Sequence, residues 1–280
     1  MQKIDDFKGK AALITGGADG IGLALAEALS AAGARVFMSD IAAEKLKESA
    51  ARIGAASAAC DVTDEKAVAE LVERAWEEIG PIDLLCANAG VFASGSILDA
   101  SQRDIDWIFA VNVWGILNAC KPFARKLREV GRGGHILMTG SEHSLSSPQY
   151  LRPVPLHLYN MTKHCVLSMG ESLRTELAPN GVGVSVLCPG PVVTGLLENS
   201  GAFRPARFGG PTKIEIAGIG DLDEAEAANL ASLYMPASRA AEIALQGVKA
   251  GAFVIPTHPF EKEDVDARYR EIAAGFDLLD

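Results

Sequence analysis

The chain has 280 residues, 49% of them hydrophobic, and a formal net charge of -10 at pH 7. Nucleic acids and anionic membranes reward clustered Lys and Arg, so an acidic chain excludes both as expected partners and favours a dissolved small molecule. The polar start MQKIDDFKGK has no apolar signal core and no eighteen apolar residues run together, so a soluble, cytoplasmic protein without membrane contact is expected. Five cysteines, Cys60, Cys86, Cys120, Cys165 and Cys188, stand singly in apolar segments, and the five histidines show no ligand spacing. Reduced thiols and no metal follow.

In chain order, AALIT at 11–15 reads as a strand, 21–32 as a helix, RVFMS at 35–39 as a strand and 43–53 as a helix. A strand ASAAC ends at Cys60, a helix covers 64–79, and IDLLCAN begins a strand at Ile82. A long helix around 104–128, the strand HILMTG from His135, a helix over 157–178, the strand GVSVLC from Gly183, the strand FVIP at 253–256 and a trailing helix complete the series. The apolar period switches between 2 and 3.6 throughout, which predicts an α/β fold with one doubly wound parallel sheet and helices on both faces. No linker or repeat divides the chain, so one domain over 1–280 is expected. The exception to the alternation is 194–235, rich in Gly and Pro before a helical DEAEAANLASLY. Long irregular insertions in compact domains tend to be covers or binding loops, so this one is expected to be a substrate lid.

Three glycines, Gly16, Gly20 and Gly22, fall between the first strand and first helix in TGGADGIG. There the backbone turns tightly and presents free N–H groups at a helix N-terminus to a pyrophosphate. Asp40 ends the second strand, where a carboxylate accepts hydrogen bonds from an adenosine ribose and repels a 2′-phosphate. No Arg or Lys flanks it and Asp19 adds negative charge, so NAD is preferred over NADP. Tyr159 and Lys163 stand four apart in a helical run, which puts an ammonium beside a phenol. Lowering that phenol's pKa by roughly 2 to 3 units takes about 3 to 4 kcal/mol, within reach of a fixed cation plus a positively charged nicotinamide, and makes the phenol a usable proton carrier.

TGGADGIG, CDV at 60–62, NAG at 88–90, Asn112, Ser141, YNMTK and PGPVVT, in that order, resemble the short-chain dehydrogenase/reductase family over 8–254. The resemblance implies a Rossmann fold. It further implies that Gly16, Asp19, Gly20, Ile21, Gly22, Asp40 and Ile41 bind the dinucleotide, that Asp61 and Val62 receive its adenine, and that Asn88, Ala89 and Gly90 pack beside it. Pro189, Gly190, Val192 and Thr194 are similar to the family's nicotinamide clamp, and Tyr159 and Lys163 would meet the nicotinamide ribose. Catalysis is implied for Asn112, Ser141, Tyr159 and Lys163, with the Asn112 carbonyl holding a water that links Lys163 to solvent.

Tyr159 follows Ser141 by eighteen residues, about five more than the family's common spacing, with LRPVP at 151–155 read as an inserted loop beside the site. Ser144, Ser146 and Ser147 are rivals for the Ser141 role, and Glu142 and His143 stand where small residues are usual. Ser141, His143, Tyr159 and Leu196 are the candidate substrate contacts. Leu197, Phe203 and Phe208 add apolar lining, and Arg204 and Arg207 either meet a substrate carboxylate or anchor the lid.

The implied function is an NAD-dependent oxidoreductase that interconverts a secondary alcohol and a ketone on a bulky apolar substrate, aryl alcohols among the candidates. An NADP-dependent ketoreductase of the same fold and an NAD-binding regulator without catalysis are the alternatives. A glycine-rich methyltransferase would share the first turn but has no use for YxxxK. Assembly as a dimer or tetramer through the two long helices is implied by the same resemblance.

Overall fold

The computed structural model describes residues 3–151, 154–216, 220 and 222–279. Its strands are β1 (Ala11–Thr15), β2 (Arg35–Asp40), β3 (Ala56–Ala59), β4 (Leu84–Ala87), β5 (Gly134–Thr139), β6 (Val182–Cys188), β7 (Val192–Val193), β8 (Met235–Pro236) and β9 (Val254–Pro256). Seven of them form one parallel sheet in the order β3-β2-β1-β4-β5-β6-β9. Strands buried on both faces read as continuous apolar runs, and successive residues feed opposite cores: Leu13 of β1 joins one, Ala12 and Ile14 the other. The order reverses between β1 and β4, which opens a crevice at the carboxyl ends of the strands, where open α/β sheets bind ligands.

One face is covered by α1 (Gly20–Ala31), α2 (Ala43–Ile53) and α9 (Ala237–Ala250), through residues such as Leu25, Leu46 and Leu245. The other carries α3 (Glu65–Ile79), α5 (Ile116–Glu129) and α6 (His157–Leu177), through Val68, Phe123 and Val166. Asp64 caps α3 by accepting from the N–H groups of Lys66 and Ala67, which leaves Asp61 free of that task.

Three elements differ from the sequence reading. The long helix near 104–128 is α4 (Gln102–Phe109) and α5 joined by a π-helical stretch, Ala110–Gly115, with Asn112 inside it. Helix α9 was not anticipated: its buried stripe is mostly alanine, Ala240, Ala241 and Ala244 with Leu245 and Val248, a weak periodic signal despite Pro236 before it and Gly251 (φ +68°) after it. The segment 194–235 is also more ordered than its composition implies, holding α7 (Leu196–Ala202) and α8 (Glu224–Ser232). A parallel pairing of Val192 with Met235 and Val193 with Pro236 closes its base. Residues 217–219 and 221 of that segment, and 152–153 of the LRPVP loop, lie outside the described residues.

Candidate active site

The turn from β1 into α1 forms one end of the site. Gly16 has φ +66° and lies so near β4 that an added Cβ would come within 2.8 Å of the Ala89 Cα, while a Cβ on Gly22 would collide with the Gly16 carbonyl. Asn88 fixes the turn: its amide donates to the Thr15 and Gly16 carbonyls at 3.2 and 3.1 Å, and its oxygen accepts from Thr139 Oγ1 at 3.0 Å. Asp40 at the end of β2 accepts from the N–H groups of Ala18 and Ala42 at 3.1 and 3.0 Å, which aims its carboxylate across the turn. Asp19 caps α1 through Gly20 N–H and pairs with Lys45 at 2.8 Å. Burial alone would push its carboxyl up, but Lys45, the Asn199 amide and that N–H together hold it below the ordinary range.

The other end gathers side chains from β5, α6 and the turn after β6. Tyr159 and Lys163 share one face of α6, with the ammonium 5.4 Å from the phenol ring centroid and donating to the Thr139 carbonyl at 3.0 Å. Both are buried. Ser141, on the turn after β5, lies near enough to the Tyr159 hydroxyl to lower its pKa, and its Oγ donates to the Pro189 carbonyl at 3.4 Å. Ser144 does not compete for that place: its Oγ accepts from the Ser141 N–H.

The charge balance departs from the sequence expectation. Burial raises the Tyr159 pKa, Ser141 pulls it back and Glu142 adds to the rise. Burial lowers Lys163 to about 8. The ammonium faces the ring and a carbonyl, so it does not by itself make the phenol acidic.

Asn112 is fully buried behind this site, clamping Val91 by accepting its N–H at 2.7 Å and donating to its carbonyl at 2.9 Å, with a further bond to Thr162 Oγ1. His143 packs edge-on to the Tyr159 ring at 5.6 Å, and burial lowers its pKa to about 4, so the imidazole is neutral.

One cavity connects the two ends. Gly16, Asp19, Gly20, Ile21, Asp40 and Ile41 line it beside the β1 turn, and Asp61, Val62, Asn88, Ala89 and Gly90 follow. Ser141, His143, Tyr159, Lys163, Pro189, Gly190, Val192, Thr194 and Leu196 complete it. Of the residues expected from sequence, Gly22 and Asn112 stand behind the wall, and Phe208 packs beneath Arg207 instead of entering the cavity. Both lid arginines anchor to the body. Arg204 pairs with Asp104 at 2.7 Å and lies over Trp107, and Arg207 pairs with Asp61 at 2.7 Å and reaches Thr63. Sequence reasoning missed Lys45, Tyr150, Asn199 and Tyr234 in the wall. Each comes from a segment without a motif, and only the fold carries them to the cleft.

A family model described as short chain dehydrogenase matches residues 10–204. The chain belongs to the short-chain dehydrogenase family. This dehydrogenase is 34% identical to 1-deoxy-11-beta-hydroxypentalenate dehydrogenase of Streptomyces exfoliatus over 75% of its own length and 78% of that protein. It is 29% identical to C alpha-dehydrogenase of a Sphingobium species over 95% of its length and 86% of the relative. The crystal structure of a short-chain dehydrogenase/reductase from Burkholderia phymatum in complex with NAD superposes with a TM-score of 0.85 at 29% identity, covering 97% of each chain. Membership makes this dehydrogenase an oxidoreductase acting on alcohol groups, with a fold that binds a nicotinamide cofactor. The residues present fit that cofactor: a side-chain-free cradle at Gly16 and Gly20, a carboxylate 22 residues on from Ala18 that bonds its N–H, and a buried Tyr–Lys pair at the far end of the same cavity. Among the described residues no helix is long and apolar enough to cross a membrane and no group of side chains could hold a metal ion.

Proposed function

We propose that this dehydrogenase interconverts a secondary alcohol and a ketone on a bulky, largely apolar substrate with NAD. The observation that carries the reading is the buried Tyr159, with Ser141 beside it and Lys163 over its ring, in the same cavity as the glycine turn and Asp40. Phe92, Leu156, Leu196, Leu197 and Phe203 supply the apolar wall beside the phenol. The carboxylate of Asp40 disfavours a 2′-phosphate, and the nearby cation Lys45 is engaged by Asp19. The NAD complex of the Burkholderia neighbour supports the same choice.

Hydride acceptance and a positive charge beside the phenol are what the oxidised nicotinamide supplies when bound. In the oxidative direction Tyr159, as the phenolate that the cofactor's positive charge would favour, accepts the proton of the substrate hydroxyl and becomes the phenol, and Ser141 donates a hydrogen bond to the same substrate oxygen and holds it against the ring. Lys163 contributes a positive charge near the resulting phenol and a donor for the cofactor ribose. Asn112 fixes the loop at Val91 that faces Lys163 and carries the proton path toward solvent. Val192 and Thr194 hold the carboxamide, Asp61 and Val62 the adenine. Five unpaired cysteines favour a reducing, cytoplasmic compartment, and we assign assembly as a homodimer or homotetramer to the α4–α5 and α6 faces.

The test is a panel of secondary aryl and alkyl alcohols with NAD and with NADP, read by absorbance of the reduced cofactor. Turnover with NAD exceeds that with NADP, and Tyr159→Phe lowers kcat by about 10² to 10⁴ while NADH binding, followed by fluorescence, persists. Full activity in that variant refutes the assignment.

A further inference from the structure

Glu142 follows Ser141, is 4% exposed and lines the same cavity as Tyr159. Its Oε1 accepts the Tyr150 hydroxyl, whereas Oε2 has no hydrogen-bond partner among the described residues. Glu261, at the head of α10 (Glu261–Ala274), is 3% exposed; neither carboxyl oxygen has a hydrogen-bond partner among the described residues, and the His258 Nδ1 lies 3.7 Å from Oε1. It packs against Gly190, where an added Cβ would lie 2.9 Å from Oε1. The only cations in the cavity wall among the described residues are Lys45 and Lys163, and both are committed, to Asp19 and to the Thr139 carbonyl. An ionised buried carboxyl without a cation is costly, so burial holds both acids toward their protonated forms, and His258 beside Glu261 is itself kept toward its neutral form by burial.

A ligand group that donates hydrogen bonds to Oε2 holds Glu142 in its ionised form, and one that carries positive charge supplies the counter-charge the cavity wall does not. A carboxylate or phosphate in that place would meet repulsion with no counter-ion. Tyr150 and Tyr234 stand in the same wall, so the subsite is aromatic as well as acidic, a setting that favours cations. Resting on the alcohol–ketone reading above, we propose that Glu142, oriented by Tyr150, binds a protonated amine on the substrate, so that the substrates are apolar amino alcohols and amino ketones. Glu142 thereby sets specificity, while Tyr159 and Ser141 act on the carbinol.

The groups that face the Glu142 carboxyl are Tyr150 and Glu261, with Asp264 of α10 adding negative charge, Tyr159 across the cavity, and the neutral His143 beside it; His258 lies 3.7 Å from Glu261 Oε1, and burial lowers its pKa. None supplies a positive charge, so the ammonium is the missing partner.

The experiment measures kcat/KM with NAD for phenylethanolamine and its next homologue, each against the alcohol in which a methyl group replaces the ammonium. The proposal expects the wild-type protein to favour the amine in at least one pair by about tenfold or more, and Glu142→Gln to reduce that ratio by about tenfold, the equivalent of ~1.4 kcal/mol. A wild-type preference for the methyl partner in both pairs, or a ratio that Glu142→Gln leaves unmoved, overturns it. Calorimetric titration with benzylamine, with benzyl alcohol as the uncharged control, reads the same subsite without turnover and in the wild-type protein alone. Saturable benzylamine binding that benzyl alcohol does not reproduce supports the subsite even if no alcohol is oxidised, in which case the alcohol–ketone reading is what fails. Turnover of neutral alcohols with equal binding of the two probes sinks the subsite and leaves that reading standing.

Discussion

Lys163 lies over the face of the Tyr159 ring and spends a hydrogen bond on the Thr139 carbonyl, so its charge reaches the phenol across a desolvated gap. Burial raises the phenol's pKa and lowers the ammonium's to about 8, because each charged form loses water and gains little in exchange. In the role proposed for it, the pair would carry a proton only once the cofactor's charge lowers the phenol's pKa. On the proposed reading, Asp40 sets the choice of cofactor at the other end. Asp40→Asn keeps the side-chain shape and one acceptor oxygen but removes the charge that opposes a 2′-phosphate. The kcat/KM for NADP is expected to rise relative to that for NAD by about 10- to 100-fold, matching about 1.4 to 3 kcal/mol of relieved repulsion. An unchanged cofactor ratio in steady-state assays would remove Asp40 from that role.

At the scale of the element, the π-helical stretch between α4 and α5 places Asn112 where an uninterrupted helix would not. Its amide satisfies both backbone groups of Val91, on the loop leaving β4, and reaches Thr162 on α6, so three elements meet at one side chain. Asn112→Ala leaves the Val91 N–H and carbonyl without these bonds at a buried position. A loss of about 2 to 3 kcal/mol in unfolding free energy, read from the urea midpoint, is expected. A midpoint unchanged from wild type would contradict the clamp. The lid is tied by the same logic, with Arg204 on Asp104, Arg207 on Asp61 and Asn199 on Asp19. Two of these three anchors are residues expected to bind the cofactor, which couples the lid to the nucleotide end of the cavity.

Across the whole molecule, the carboxyls of Glu142 and Glu261 make stability depend on pH. Burial raises Glu142 from 4.5 to about 7 and, with Glu142 adding to the effect, Glu261 from 4.5 to about 9. A carboxyl whose pKa is higher folded than unfolded binds its proton more tightly in the native state, so its stabilisation is complete below about pH 4.5 and is lost as the pH rises through the folded value. Glu261→Gln removes the larger of these dependences. Its Tm is expected to match or fall below wild type near pH 5 and to exceed it near pH 9, the gap widening with pH in a thermal-denaturation series. A constant gap would show that Glu261 titrates normally.

The apolar periodicity of β1 to β6 and the glycine turn were sufficient to specify a doubly wound sheet, because strands buried on both faces and a helix N-terminus that meets phosphate both leave local marks in a sequence. TGGADGIG, YNMTK and PGPVVT likewise carried the candidate site as far as residue types and order. Helix α9 left little trace, since a stripe of alanines packs closely against α1 but scarcely differs from a loop in hydropathy. What only the tertiary structure decided is the electrostatics: that Lys163 meets the ring of Tyr159, that Arg207 pairs with Asp61 146 residues earlier, and that the buried carboxyls of Glu142 and Glu261 leave Glu142 Oε2 and both Glu261 oxygens without hydrogen bonds among the described residues. Those facts depend on distance and desolvation between segments remote in the chain, and neither quantity is encoded in local spacing.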